Sequence, residues 1–223
     1  MWAQFTQKEA GKYIIGMTVW ETDKLHPLWV NACNKDAKEV WIPSQWNMEV
    51  FKNSGVSVPL VKIPHTLPQV DIDNVPVYNI SGIEPNDFVF YSIFQWQERK
   101  NPLSLLAAYY AAFSGVEDVA LVIKSYKSDM EKDRDLIKNT VVDFKKYIRL
   151  NHYPKVSLVS GPLSTQSMFS LHKSCDAFVL LQRSEGWGLP MFESAFSGKP
   201  VITPGYGGQT EFLNQDNSYL LNY

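Results

Sequence analysis

The sequence has little of what marks several large protein classes. It holds only two cysteines, Cys33 and Cys175. They lie far apart, form no metal pair and read as reduced thiols of a cytosolic protein. No apolar run approaches the roughly 18–20 residues that cross a bilayer. The N-terminus, Met1 to Glu9, lacks the basic start and apolar stretch of a signal peptide. There is no basic excess: 21 Lys and Arg stand against 23 Asp and Glu, a net charge of −2. A nucleic-acid binder normally carries positive charge to neutralise phosphates, so no nucleic-acid partner is expected. His26, His152 and His172 show no metal-ligand spacing, and no metal is expected. Repeats and low-complexity segments are also missing. What remains is a chain of 223 residues, 45% hydrophobic and 20% charged, which can bury a core and is not globally disordered. Aromatic residues, at 13%, are abundant.

Along the chain, short apolar runs alternate with helical periodicity. Strands are predicted at 13–20, 39–43 and 58–63, with helices at about 27–34 and 44–53; Ser44 caps the second and Gly55 ends it. The stretch 64–86, with Pro64, Pro68, Pro76 and Pro85, reads as a crossover. A second series follows. Strands at 88–93, 119–123, 156–159, 177–181 and 200–203 are separated by helices at 102–114, 129–150, 164–172 and 190–197, with a short helix near Thr210. Near-continuous apolar strands between helices predict a parallel sheet covered on both faces. The second series is therefore an open doubly wound α/β domain. The first is too short for a complete partner and resembles the tail end of one.

In open α/β sheets, ligands bind beyond the carboxyl ends of the strands. The run Gln182-Arg183-Ser184-Glu185-Gly186-Trp187-Gly188-Leu189-Pro190-Met191-Phe192-Glu193 falls there. Gly186 and Gly188 permit close backbone approach, and Pro190 suits a first helical turn. The N–H groups around Gly188 and Leu189 then form an anion site suited to a diphosphate. Glu193 is expected in the first turn of that helix. A carboxylate accepts two hydrogen bonds from a vicinal diol, which a ribose offers. Glu193 alone is equally well explained by the helix dipole, which favours an acid in a first turn. Arg99 and Lys100 alone would read as a solvated pair. His65, after Pro64, lines a cleft or serves as a hydrogen-bonded structural residue. Glu21 or Asp23 orients an acceptor hydroxyl or caps a loop, and Tyr109 and Tyr110 read as core and rim.

The whole string EGWGLPMFESAFSGKPVI resembles the signature of retaining glycosyltransferases of the two-Rossmann-domain (GT-B) fold, glycosyltransferase family 4 (glycosyl transferases group 1). Two glutamates, Glu185 and Glu193, have seven residues between them, with Gly-Leu-Pro inside and Pro-Val beyond. The run Val40 to His65 resembles the family's last part of the acceptor domain. Glu98-Arg99-Lys100-Asn101 resembles its basic phosphate-binding turn, and Gly205 to Thr210, then Glu211, its second glycine loop. The likeness covers about Ile15 to Tyr219.

The resemblance implies a GT-B-like α/β fold: a doubly wound, Rossmann-like parallel-sheet donor domain preceded by a truncated second Rossmann-like domain. Residues 1–67 would be the C-terminal part of the acceptor-side domain, 68–83 the crossover, and 84–223 the nucleotide-sugar-binding domain. A missing N-terminal half is expected. Glu193 would bind the ribose hydroxyls and Glu185 the donor sugar. The backbone of Gly186, Trp187, Gly188 and Leu189, with Gly207 and Gly208, would hold sugar and diphosphate. Lys100, with Arg99, would neutralise the departing diphosphate, because fixed cations where charge develops lower the barrier. Sugar would pass from a nucleotide-sugar donor to a glycan, lipid or protein acceptor with retention, without metal or cofactor. The alternative is a nucleotide-sugar-binding fragment or subunit that does not turn over by itself. The implied location is the cytoplasm, with peripheral membrane contact left open because many members build membrane-linked glycans. The chain departs from the family at Phe94, where many members carry an arginine at the strand end.

Overall fold

Two parallel sheets organise the protein, whose computed structural model describes residues 12–126 and 130–223. The expectations for Met1 to Glu9 and for a helix start at Asp129 lie outside the described residues. The described chain divides into two compact units, one made of the residues through Leu67 with Ser184–Leu189 and Gly205–Leu213, the other of Pro68–Arg183, Pro190–Pro204 and Asn214–Tyr223.

The first unit carries three parallel strands, β1 (Ile15–Met17), β2 (Glu39–Ile42) and β3 (Leu60–Lys62), in the order β1-β2-β3. Helices α1 (Pro27–Asp36) and α2 (Gln45–Asn53) connect them. Each starts for a local reason. His26 Nδ1 accepts from the Leu28 N–H ahead of α1, with Pro27 in the first turn, and Ser44 Oγ accepts from the Asn47 N–H of α2. Leu25, Cys33, Val40, Ile42, Val50 and Phe51 form the apolar core of this unit. Strand β1 is shorter than the sequence predicts: only 15–17 of the run 13–20 find a strand partner.

The second unit is a six-stranded sheet of β4 (Phe88–Gln95), β5 (Val119–Tyr126), β6 (Lys155–Val159), β7 (Ala177–Val179), β8 (Val201–Pro204) and β9 (Tyr219–Leu221). Their spatial order is β6-β5-β4-β7-β8-β9, and every pairing is parallel. This is the Rossmann strand order, in which the chain winds outward from the first strand, returns beside it and winds the other way. The crossovers are α3 (Pro102–Phe113), α4 (Met130–Ile148), α5 (Thr165–Lys173) and α6 (Leu189–Phe196). Tyr91, Leu106, Tyr110, Leu121, Ile123, Phe169, Phe178 and Leu180 are fully buried; each such side chain contributes about 1.5–3 kcal/mol of apolar burial. Tyr109 is buried as well, and its hydroxyl donates to the Lys155 carbonyl. Strand β9 is absent from the sequence reading. Its three residues are too few to show a period, and it pairs only at the sheet's edge, with β8. Both cysteines are free and buried. No described helix is long and apolar enough to cross a membrane.

Candidate functional site

Strands β4 and β7 lie side by side and parallel, so the segments that follow them emerge at one edge of the sheet. Strand β4 leads to β5 on one side, whereas β7 returns on the other, which makes this the point where the winding reverses. Ligands of open α/β sheets bind in the crevice at such a point, because the diverging connections leave it uncovered.

After β4 the chain turns through a short 3-10 helix, Glu98–Lys100. Asn101 then takes a left-handed conformation, φ 55° and ψ 49°, and Pro102 opens α3. Arg99 and Lys100 are half-buried in that turn. The Arg183 N–H, after β7, donates to the Arg99 carbonyl at 2.8 Å. Arg183 Nη1 also donates to Glu98 Oε1 at 2.9 Å. The basic turn is thereby stitched to the start of the glycine-bearing loop. Phe94 is buried, stacked on Trp96 with centroids 5.8 Å apart, so this strand end offers no cation at the family's usual arginine position.

Glycine and neighbouring backbone fix the loop 184–188. A Cβ on Gly186 would lie 2.3 Å from Val19 Cγ2 and 2.7 Å from the Trp20 carbonyl oxygen; one on Gly208 would lie 1.8 Å from the Gly186 carbonyl oxygen. Only glycine allows such contact. The Gly208 N–H donates to the Glu185 carbonyl at 2.8 Å. Asn47, fully buried, uses its whole amide: Oδ1 accepts from the Trp20 N–H at 2.8 Å, and Nδ2 donates to Ser44 Oγ and to the Gly186 carbonyl, each at 3.0 Å. Glu185 is buried, and Trp187 meets His65 edge-on at 5.4 Å and Phe212 at 5.2 Å. Burial lowers the pKa of His65 and favours its neutral form.

Glu211 ends the second glycine loop. Its carboxylate accepts from the Gln45 N–H at 2.7 Å, at the positive end of α2, and from Lys62 Nζ at 2.6 Å. Burial pushes its pKa up, but the hydrogen bonds from Gln45 and Lys62 outweigh that, and the net shift is downward. Beside these loops, a pocket of about 210 Å³ opens at the carboxyl ends of β1–β3, lined by Val19, Trp41, Ile42, Pro43, Ile63 and His65.

One expectation needs correcting. Helix α6 begins at Leu189, and no acidic residue lies in its first turn. Glu193 is the fifth helical residue and stands in the second turn, so a first-turn dipole effect does not explain it. Gly188, at φ 87°, precedes the helix and has no side chain to cap it. The first-turn N–H groups of a helix lack intrahelical acceptors. Glu193 is held from another direction. Its Oε2 faces His172 Nε2 at 3.5 Å, His172 Nδ1 meets the Tyr91 hydroxyl at 2.7 Å, and that hydroxyl donates to Ser194 Oγ at 2.9 Å. Burial raises the pKa of Tyr91 far above its ordinary value.

Residues 90–221 match the model of the family described as glycosyl transferases group 1. The chain belongs to that family. A curated relative, the uncharacterized protein 356 of Sulfolobus islandicus rod-shaped virus 1, is 21% identical over 214 residues, 93% of this chain and 56% of that protein. Among solved structures, Anabaena Alr3699/HepE, crystallised with UDP and glucose, superposes with a TM-score of 0.70 at 18% identity, covering 95% of this chain and 58% of that one. S. aureus TarM, as a mutant in complex with Fondaparinux, alpha-GlcNAc-glycerol and UDP, gives 0.71 at 14% identity, covering 98% and 42%. The chain thus spans roughly half the length of the relatives it matches. Its fold is the parallel-sheet α/β fold of GT-B C-terminal Rossmann-like domains.

In this group 1 glycosyltransferase domain, Arg99 and Lys100 share a sheet edge with the segment that runs on from Arg183 into the glycine loop. Gly207 packs against the Glu185 backbone and Gly208 against Gly186, while Gly186 packs against Val19 and Trp20. The sequence reading missed Asn47 and the partnership of His172. Asn47 stands three residues after the capping Ser44, where a side chain commonly reaches back to the cap. For His172 there is no local signal, since its partner Tyr91 is 81 positions away.

Proposed function

We propose that the chain binds a nucleotide sugar, with a UDP-sugar as first candidate, and serves a metal-independent, retaining transfer of the family 4 type. Residues 84–223 would form the donor-binding domain, 1–67 the acceptor side, and 68–83 the crossover. Glu193 would accept from both ribose hydroxyls and Glu185 would hold the donor sugar. The backbone at Gly186, Trp187, Gly188 and Leu189 would bind sugar and diphosphate, with Gly207 and Gly208 allowing close approach. In the transfer, the bond from the anomeric carbon to the diphosphate oxygen breaks and its electron pair leaves with the nucleoside diphosphate. An acceptor oxygen forms the new bond and gives up its proton. Lys100 and Arg99 would stabilise the charge gathering on the leaving group. The acceptor would be a glycan, a lipid or a protein hydroxyl, and the reaction would take place in the cytoplasm or at a membrane facing it.

The observation that carries this reading is the hydrogen bond between Arg183 N–H and the Arg99 carbonyl at the β4/β7 switch point. It fixes the basic turn against Arg183, the residue that leads into the glycine loop, where a sheet of this order binds its ligand. The UDP held by Alr3699/HepE supports uridine as the first base to try. The test is calorimetric titration of the full chain with UDP-, GDP- and ADP-sugars, followed by an assay for nucleoside diphosphate release. Binding with release supports a transferase. Binding without release supports the second reading, a nucleotide-sugar-binding fragment or subunit that does not turn over by itself. No binding to any member of the panel contradicts both.

A further inference from the structure

The side chains Glu193, His172, Tyr91 and Ser194 form one hydrogen-bonded chain inside the second unit. His172, Tyr91 and Ser194 are fully buried, while Glu193 is partly exposed. Proton counting along the chain restricts its states. The Tyr91 hydroxyl has one proton and donates it to Ser194 Oγ at 2.9 Å. Its oxygen can then only accept from His172 Nδ1, 2.7 Å away, so Nδ1 carries a proton. In a neutral ring, Nε2 is then a bare acceptor facing the Glu193 carboxylate. Two acceptors repel, and the 3.5 Å separation is longer than a formed N–H···O bond. A proton between Nε2 and Oε2 converts the repulsion into a charge-assisted contact. The remaining groups around the ring do not compete for that proton. Burial keeps the Tyr91 hydroxyl neutral, burial pushes the Cys175 thiol up to about 12, and Phe169 supplies only a tilted aromatic ring.

We propose that His172 is a positioning residue for diol recognition. Anchored at Nδ1 by Tyr91, it offers Nε2 as a donor to the Glu193 carboxylate and keeps that carboxylate oriented and free to accept from two vicinal hydroxyls. This rests on the ribose-binding reading of Glu193. The diol draws both carboxylate oxygens into acceptor roles, so the contact at His172 Nε2 fixes the direction in which they face.

Two substitutions separate the ring nitrogens. In His172→Asn the amide nitrogen falls near the place of Nδ1 and can donate to Tyr91, but nothing remains at Nε2. In His172→Gln the amide nitrogen reaches the place of Nε2 and can donate to Glu193. The experiment titrates the full chain and both variants with UDP and with 2′-deoxy-UDP, and records ¹⁵N signals of the wild-type His172 ring. The wild type should prefer UDP by about tenfold or more, the worth of a hydrogen bond to a charged group. His172→Gln should keep most of that preference, and His172→Asn should lose it. In the wild type, Nδ1 should carry its proton throughout, while the Nε2 signal should shift on adding UDP and less on adding 2′-deoxy-UDP. A His172→Asn protein that keeps the full preference overturns the proposal while leaving the ribose reading intact. A wild type that does not distinguish the two nucleotides overturns the ribose reading, and this inference with it. If either variant fails to fold, the wild-type ring signals decide, and an Nε2 unmoved by UDP is a negative result.

Discussion

Glu185 and Glu193 stand seven intervening residues apart, yet different physics holds each of them. Around Glu185 the backbone does the work. Gly208 presses its α-carbon against the Gly186 carbonyl, and the Asn47 amide bonds the Trp20 N–H, the Gly186 carbonyl and Ser44 Oγ. Around Glu193 a relay of side chains does it, running through His172 and Tyr91 to Ser194. A backbone lock is unforgiving, because any added atom meets a main chain that cannot rotate away. A side-chain relay is adjustable, because side chains can shift where a main chain cannot. The rigid region suits the shaping of a pocket, and the adjustable one suits the recognition of hydroxyl groups.

The comparison breaks most visibly at the glycines. Gly208→Ala places a methyl group 1.8 Å from the Gly186 carbonyl oxygen, and should destabilise the fold by about 3 kcal/mol, the upper part of the usual overpacking range. Denaturant unfolding measures this, and an unchanged midpoint would show that the backbone lock is loose. Asn47→Ala leaves the Trp20 N–H and the Gly186 carbonyl without their partner, and should cost about 2–3 kcal/mol. Asn47→Asp should restore only the Trp20 contact, because a carboxylate cannot donate to Gly186.

Next come effects on binding. Lys100→Ala should weaken diphosphate binding by roughly 1.5–3 kcal/mol, as expected for a charge-assisted contact, with little change for the nucleoside. Equal losses for UDP and uridine would mean that Lys100 acts through folding. Glu193→Gln should lower UDP affinity, since an amide is a poorer double acceptor. Glu185→Gln should leave UDP affinity nearly unchanged and reduce discrimination between UDP-sugars.

Much of this comparison was legible in the sequence. Ser44, Ser164 and Pro102 start α2, α5 and α3 by local chemistry, and the apolar runs of β4 and β5 announce buried strands without help from distant residues. The glutamate pair and the glycines were visible as a string. The position of Glu193 was not, because placing it in the first turn depended on where α6 begins, and one residue of difference moves a side chain by about 100° around a helix. The relay was invisible, as Tyr91 lies on β4, His172 on α5 and Ser194 on α6, which only the tertiary fold brings together. Strand β9 escaped because its three residues carry no alternation that a turn could not also show.

Smaller effects sharpen the account. The Glu211 carboxyl is held below its ordinary value of 4.5. A group with a depressed folded-state pKa stabilises the fold above its unfolded pKa, and that stability is lost as pH falls through the folded value. Acid unfolding of the wild type should therefore include a contribution below about pH 4.5 that Glu211→Gln lacks, read by comparing the two proteins between pH 3 and pH 7. Smallest of all, Arg183→Ala removes an exposed pair with Glu98 and should change stability by about 0.5 kcal/mol or less. The Arg183 backbone N–H, which makes the bond to Arg99, survives the substitution, so UDP affinity should stay close to that of the wild type.

The most direct test of the central claim is to follow backbone amide signals of the full chain by NMR as UDP is added. Saturable shifts concentrated at Arg99, Lys100, Gly186 to Leu189 and Glu193 are the predicted result. A folded protein whose amides do not respond to millimolar UDP, GDP or ADP, or whose shifts gather at the opposite edge of the sheet around Asp87 and Lys155, would contradict it.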